Sequence, residues 1–394
     1  MKRTLVSLLL AFSATAALQA TPADSAEVKH HFGADIRGGY AFSSSGTDLD
    51  VSWYRPTEYH TAASLHLKYA FSYGESTRTG RMYPGAYQGA GFGVNAFCTS
   101  HEAMLPVSVY LFQGAPIKRF SRRFSLGYEW NFGASFGWHK SSYDRDFESN
   151  LIVGSKVNAV INLGLLLDYK LTPSLTLRGG IEGTHFSNGN TSLPNPGVNT
   201  LGLRLGVVYT PGQDSFASDK KGVESEDFDA SVRGMGYDLL LYGTWRKAII
   251  ENGDDKYPVP GHFGVAGISF APMWQFNRYI RAGLSADIQY DESSNLGAHK
   301  VEDTSYDDPK FYRQPFHECL IGGVSARAEL VMPVFSINVG LGRNLVAVKA
   351  NRHFYQTMNL KLRLPARFWL NIGYRLHDFH RPDNLIFGLG YTFR

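Results

Sequence analysis

Long stretches of this sequence alternate strictly between apolar and polar residues, and a period of two restricts the chain to strands with unlike faces. From Val157 to Tyr169 the odd positions are Val157, Ala159, Ile161, Leu163, Leu165, Leu167 and Tyr169. The even positions include Asn158, Asn162, Gly164 and Asp168. The last stretch repeats the pattern, with Leu385, Phe387, Leu389, Tyr391 and Phe393 opposite Gly388, Gly390 and Thr392. A closing strand with a terminal aromatic resembles the insertion signal of outer-membrane barrels, although Arg394 follows the Phe here.

The start of the chain reads as an export signal. Lys2 and Arg3 precede an apolar core from Leu5 to Phe12, and small residues follow, with cleavage expected after Ala16 or Ala20. That core is too short to cross a bilayer as a helix, and no later stretch offers about 20 apolar residues in a row. A helical membrane protein is excluded. The composition, 43% hydrophobic but 14% aromatic with 41 Gly, suits a barrel whose strands are apolar on one face. A large soluble β protein is the competing class. A net charge of +4 is too small to argue for nucleic acid. The two cysteines, Cys98 and Cys319, do not make a disulfide scaffold, and whether they pair cannot be read from sequence.

Connections alternate in length. Tight links are expected at Leu171–Ser174, Asn277–Arg278, Met332–Pro333 and Pro365–Ala366, and long polar loops at His139–Gly154, Glu251–His262 and Ser293–Phe316. Short turns on one side and long loops on the other is the habit of outer-membrane barrels; the Gly74–Gly85 connection is longer than that rule favours. The pattern predicts an all-β transmembrane antiparallel barrel of about sixteen strands, eight before Gly212 and eight after Asp229. After a signal peptide over 1–20, the expected organisation is an eight-strand unit over 30–211, a polar linker over 212–228 and a second eight-strand unit over 229–394. The halves look weakly alike, which suggests duplication and leaves two tandem eight-stranded barrels as the alternative. One large barrel is preferred because only the final strand carries the terminal aromatic.

The segment GTHFSNGNTSLPNPGVNT holds the chemistry. The strand Leu175–Ser187 places Leu175, Leu177, Ile181, His185 and Ser187 on one face, continuous with the apolar face of Leu163 and Leu165. The following strand puts Asn199 on that face with Leu201, Leu203 and Leu205. His185, Ser187 and Asn199 therefore share the lipid-facing side across a hairpin. Strands lie about 4.8 Å apart and residues two apart on one strand roughly 7 Å apart, so leaning side chains can join. Polar groups facing lipid are costly unless partnered. A Ser needs a neighbouring base to attack an ester, and a His needs an orienting group. Gly189, Asn190 and Asn195 offer oxyanion donors from backbone or side chain. The plainer reading leaves the trio at the membrane rim, wetted by headgroups and idle.

His-Phe-Ser-Asn-Gly-Asn after a barrel strand resembles the His-x-Ser-Asn motif of the lipid A 3-O-deacylase (PagL-type) family. The whole chain resembles the longer, Bacteroidetes-type acyloxyacyl hydrolase members. The close match spans roughly Phe32 to Pro211 and includes AYQGAGFGVNAF and SLGYEWNFGASFGW. The resemblance implies an outer-membrane esterase that removes an ester-linked acyl chain from lipid A of lipopolysaccharide. Ser187 would be the nucleophile and His185 its base. Asn188 and Asn195 match family asparagines, Asn195 being the better oxyanion candidate. The family acid lies twelve residues after the Ser, where this chain has Asn199. An amide can orient an imidazole but cannot stabilise its cation by charge. Asp144, Asp146 and Glu148 are further candidates for the acid.

The first strand rising from the periplasm makes the seventh rise too, which sets His185 and Ser187 near the outer leaflet. No cofactor is needed and no metal-ligand spacing is present; His30–His31 and His377–His380 read as surface or lumen residues. The expected partners are lipopolysaccharide or phospholipid as substrate and the outer membrane, with no nucleic acid. The second half has His377-Asp378-Phe379-His380 at the corresponding place, without Ser and with His377 facing the lumen. The alternative function is a non-enzymatic barrel, a pore, receptor or structural protein, carrying a vestigial motif.

Overall fold

The computed structural model describes residues 28–43, 60–98, 103–140, 153–193, 195, 197–216, 227–252, 255–301, 310–346, 354–377, 379 and 381–393. The expected export signal over 1–20, the candidate acids Asp144, Asp146 and Glu148, and His380 of the His377–His380 pair lie outside the described residues. Contacts divide the chain into two compact units, and each is a barrel.

The first barrel is built from β1 (Val28–Ser43), β2 (Thr61–Tyr73), β3 (Tyr87–Cys98), β5 (Val107–Arg119), β6 (Phe124–Phe136), β7 (Val157–Lys170), β8 (Leu175–Ser187) and β9 (Val198–Tyr209), with a two-residue strand β4 (Ala103–Met104) beside β3. Neighbours pair antiparallel. The ring closes because β1 pairs with β2 along one edge and with β9 along the other, from Phe32↔Tyr209 to Ser43↔Val198. The long Gly74–Gly85 connection holds a short helix, α1 (Arg78–Met82), capped by the Thr77 hydroxyl accepting from Gly80 N.

The second barrel runs β10 (Gly234–Arg246), β13 (Phe263–Gln275), β14 (Ile280–Asp291), β15 (Leu320–Val331), β16 (Phe335–Val346), β17 (Phe354–Arg363), β18 (Phe368–His377) and β19 (Arg381–Phe393). It closes through β10 and β19, Tyr237↔Phe393 to Gly243↔Phe387. A short helix, α2 (Phe228–Val232), precedes it. Part of the expected loop Glu251–His262 is regular. Its first residues belong to β11 (Ile249–Asn252), which pairs with β12 (Asp255–Pro258) as a separate hairpin.

The preference for one sixteen-stranded barrel is therefore overturned in favour of the tandem alternative. An unpaired strand edge is untenable within lipid. Each set of eight removes its own edges by joining first strand to last, so the first ring closes on β9, which ends in Tyr209, without the terminal signal that β19 carries.

Both barrels turn their apolar residues outwards. Leu163, Ile181, Leu201 and Leu203 are all more than half exposed, and Leu284, Leu341 and Leu389 repeat the pattern in the second barrel. The interiors are charged and closely paired. In the first, Glu129 is fully buried and accepts from Lys68 at 3.2 Å, Arg178 at 3.2 Å and Arg204 at 2.5 Å. Asp35 takes Lys68 at 2.7 Å, and Glu182 takes Arg37 at 3.3 Å and Arg204 Nε at 2.7 Å. In the second, Lys361 bridges Asp238 at 2.8 Å and Glu329 at 2.6 Å, while Arg327 meets Asp287 at 2.9 Å. Eight strands enclose a lumen just wide enough for side chains to fill. These ion pairs fill the middle of each one, which is poor ground for a pore. Cys98 is exposed, Cys319 is buried, and both are free thiols.

Candidate active site

The site is built at the loop end of the hairpin β8–β9. In the β8–β9 register His185 stands directly opposite Asn199, and in the β7–β8 register Ser187 stands opposite Ala159 and His185 opposite Ile161. All of these share the parity of Leu163, Ile181 and Leu201, which are exposed on the barrel's outer wall. The site therefore faces outwards.

His185 joins the other two residues. Its Nδ1 lies 2.8 Å from Asn199 Oδ1 and its Nε2 lies 2.9 Å from Ser187 Oγ. An amide oxygen only accepts hydrogen bonds, so Nδ1 carries the proton and Nε2 is left as the acceptor for the Ser187 hydroxyl. That tautomer and ring orientation are what a general base for a serine requires. Ser187 is only 4% exposed, far less than the leucines sharing its face, and Gly197, where the chain enters β9, lies close beside it.

Two residues that sequence reasoning did not single out hold this arrangement. Phe186, between the two outward side chains, points inwards and packs against Trp138 at 5.2 Å and Phe97 at 5.6 Å between ring centroids. This aromatic core fixes the end of β8, so His185 and Ser187 are presented from an anchored strand. In the sequence its signal is an aromatic on the parity opposite to His185 and Ser187.

Gly197 is the second. It takes φ +73° just before β9, and a Cβ there would stand 2.8 Å from Phe186 O, 3.0 Å from His185 Cε1 and 3.4 Å from Ser187 Cβ. Only a residue without a side chain can lie this close in this conformation. Replacing Gly197 with Ala should cost about 1–3 kcal/mol of local strain. It should also push the imidazole off the Ser187 hydroxyl, with activity falling at least about tenfold while the barrel still folds. Turnover of an ester substrate by the purified variant checks this; an undiminished rate would show that the close approach does not position the ring.

The remaining candidates are placed less uniformly. Asn195 Oδ1 accepts from Asn188 N at 2.9 Å, which pins the loop across its own base. The Asn188 N–H and the Asn195 carbonyl oxygen are thus engaged with each other. Gly189 and Asn190 both take left-handed φ, +61° and +63°, and make the sharp turn after β8. In the second barrel His377 on β18 is buried, with its Nδ1 2.9 Å from an Asp383 carboxylate oxygen. His31 lies between Ser72 Oγ and Thr210 Oγ1 at 2.8 and 2.9 Å, and His30 meets the Tyr69 hydroxyl at 2.9 Å.

Residues 35–208 match the family described as lipid A 3-O-deacylase (PagL), and residues 235–394 match the acyloxyacyl hydrolase C-terminal domain, PagL_C. The chain belongs to the PagL lipid A deacylase family. Membership supports a hydrolase of the lipid A deacylase type and an outer-membrane barrel. The first match contains His185, Ser187 and Asn199. No curated protein matches the sequence. Among solved structures, the CymD monoaromatic hydrocarbon channel is similar at 12% identity, over 96% of this chain and 92% of that one, with a TM-score of 0.18. The Ralstonia pickettii toluene transporter TbuX stands at 10% identity, 96% and 92% coverage and 0.18. A mutant Rh. blastica porin stands at 8%, 93% and 99% coverage and 0.17. TM-scores this low give these likenesses no weight.

Proposed function

We propose that this PagL-family protein is an outer-membrane serine esterase that removes an ester-linked acyl chain from lipid A of lipopolysaccharide. The observation that carries the proposal is the double engagement of His185, with Ser187 on one ring nitrogen and Asn199 on the other. The Ser187 oxygen attacks the ester carbonyl carbon as His185 Nε2 takes its proton. The tetrahedral oxyanion forms beside the Asn188–Asn195 loop, where Asn195 would donate through Nδ2, since its Oδ1 holds Asn188 N. As the intermediate collapses and the ester C–O bond breaks, His185 gives that proton to the departing alkoxide oxygen, leaving Ser187 acylated. Water, deprotonated by the same imidazole, releases the fatty acid and restores the hydroxyl. No cofactor enters this sequence of steps.

The outward placement of the trio suits a substrate whose acyl chains lie in the outer leaflet, reached sideways from the bilayer. In this reading an export signal over 1–20 delivers the chain. Residues 30–211 form the catalytic unit, 212–228 link, and 229–394 form the second eight-strand unit. Phospholipid is the alternative substrate for the same chemistry. The test is mass spectrometry of lipid A from cells with and without the wild-type gene. A species lighter by one acyl chain is expected, and unchanged lipid A overturns the reading.

Asn199 makes a sharper prediction. The imidazolium formed during attack gains no charge partner from an amide. Asn199→Asp keeps the shape and supplies that charge, and a carboxylate cannot turn a donor towards the ring. We expect kcat to rise by about tenfold or more in Asn199→Asp and to fall by a similar factor in Asn199→Ala. Equal rates in wild type, Asp and Ala variants would remove Asn199 from the catalytic group.

A further inference from the structure

The first barrel holds a cavity of about 790 Å³ at its opposite end, among the short turns. It is far from the Ser187 hairpin end, and its lining uses none of the proposed catalytic residues. Seven cations and three carboxylates line it. The ion pairs beneath it balance. Asp35, Glu129, Asp168 and Glu182 face Arg37, Lys68, Arg178 and Arg204, four charges of each sign. Lys68 and Arg178 of the lining are spent in that network, as is Asp168.

Besides these, Lys29, Arg119, Arg123 and Lys170 line the recess, against Glu75 and Asp214. Lys29 and Arg119 both act on Lys170, as do Asp168 and Glu75 with the opposite sign, so these charges are gathered in one place and not scattered. Arg123 lies over the Phe216 ring at 4.7 Å, a contact that leaves its charge uncancelled. Among the described residues, Lys29, Arg119 and Lys170 form no ion pair. A recess with an excess of one sign of charge focuses its field on an incoming counter-ion, and guanidinium and ammonium groups together match phosphate oxygens. The volume lies within the range of pockets that take small organic ligands, and so exceeds what a bare phosphate fills.

We propose that this cavity binds a phosphate-bearing ligand, held by Arg119, Lys170 and Lys29. The phosphate could belong to a soluble phosphoryl compound or to a phospholipid headgroup, and the experiment separates them. The full chain is folded in uncharged maltoside micelles and titrated calorimetrically at low salt, with pyrophosphate in one arm and short-chain phosphatidylglycerol in the other. One site per chain is expected, weakening as salt rises. The Arg119→Gln/Lys170→Gln double variant should bind at least tenfold more weakly. Arg343→Gln, an exposed cation on β16 of the second barrel, should bind as wild type.

Binding of pyrophosphate alone assigns a soluble ligand, and binding of phosphatidylglycerol assigns a headgroup. Binding of neither, or binding that survives the double variant, overturns the proposal. So does equal weakening by Arg343→Gln. Should the double variant lose the shifted gel migration of a folded barrel, the single Lys29→Gln variant carries the comparison with an expected loss of at least threefold, and no loss overturns the proposal. Deacylation is not read at any step, so failure here is distinct from failure of the esterase reading.

Discussion

Ser187→Ala is expected to abolish deacylation while leaving the barrel intact. The hydroxyl is the only atom removed, and it accounts for one end of the His185 hydrogen-bond chain, 2.9 Å from Nε2. A serine nucleophile and its base act as one unit, so deleting either removes nearly the whole of their joint effect, about 10³-fold or more. His185→Ala should match Ser187→Ala, and the double variant should be no worse than either. Folding should survive, because the hydroxyl contributes little beside the aromatic anchor of Phe186 with Trp138 and Phe97. The measurement is lipid A composition by mass spectrometry from cells producing equal amounts of each variant. If the alanine variant still strips an acyl chain, the nucleophile lies elsewhere, whatever the hydrogen bonds beside it.

Glu129→Ala should have the largest effect on stability. Its carboxylate is fully buried, and Lys68, Arg178, Arg204 and the Tyr87 hydroxyl all converge on it. Removing it strands three cations in an interior that water reaches poorly, with only Asp35, Asp168 and Glu182 left to share among them. Breaking a buried ion pair from one side costs about 3–5 kcal/mol. Urea unfolding of the purified protein in micelles, followed by loss of the folded migration on unheated gels, reads this directly. Stability within about 1 kcal/mol of wild type would mean that the network is easily re-formed around the gap. The second barrel gives an internal comparison, since Glu329 holds Lys361 and Arg281 in the same manner. Glu329→Ala should destabilise that barrel and leave the His185–Ser187 pair unaffected.

The two expected results probe different halves of one design. The same alternation that turns leucines to lipid turns charges inwards. The proposed trio sits where outward parity meets the loop end, with His185 and Asn199 half-buried and Ser187 buried.

What the sequence determined by itself was the strand pattern, the parity and the meeting of the trio. Val157 to Tyr169 and Leu175 to Ser187 are strands with those faces, because a period of two leaves no other regular structure for them. The pairing of His185 with Asn199 follows from hairpin register once the parity is known. What only the tertiary structure decided was non-local. Ring closure at eight depends on β1 finding β9 and β10 finding β19, and strand pairings across a whole unit leave no mark in a local pattern. The fit of Gly197 against the imidazole depends on a backbone approach of a few ångströms, and Gly alone is silent about what lies next to it. The cavity among the short turns likewise needs Lys29, Arg119 and Lys170, far apart in the chain, to be gathered by the ring. Periodicity acts between neighbours and is written in order; closure and close approach arise between distant residues and exist only once the barrel has formed.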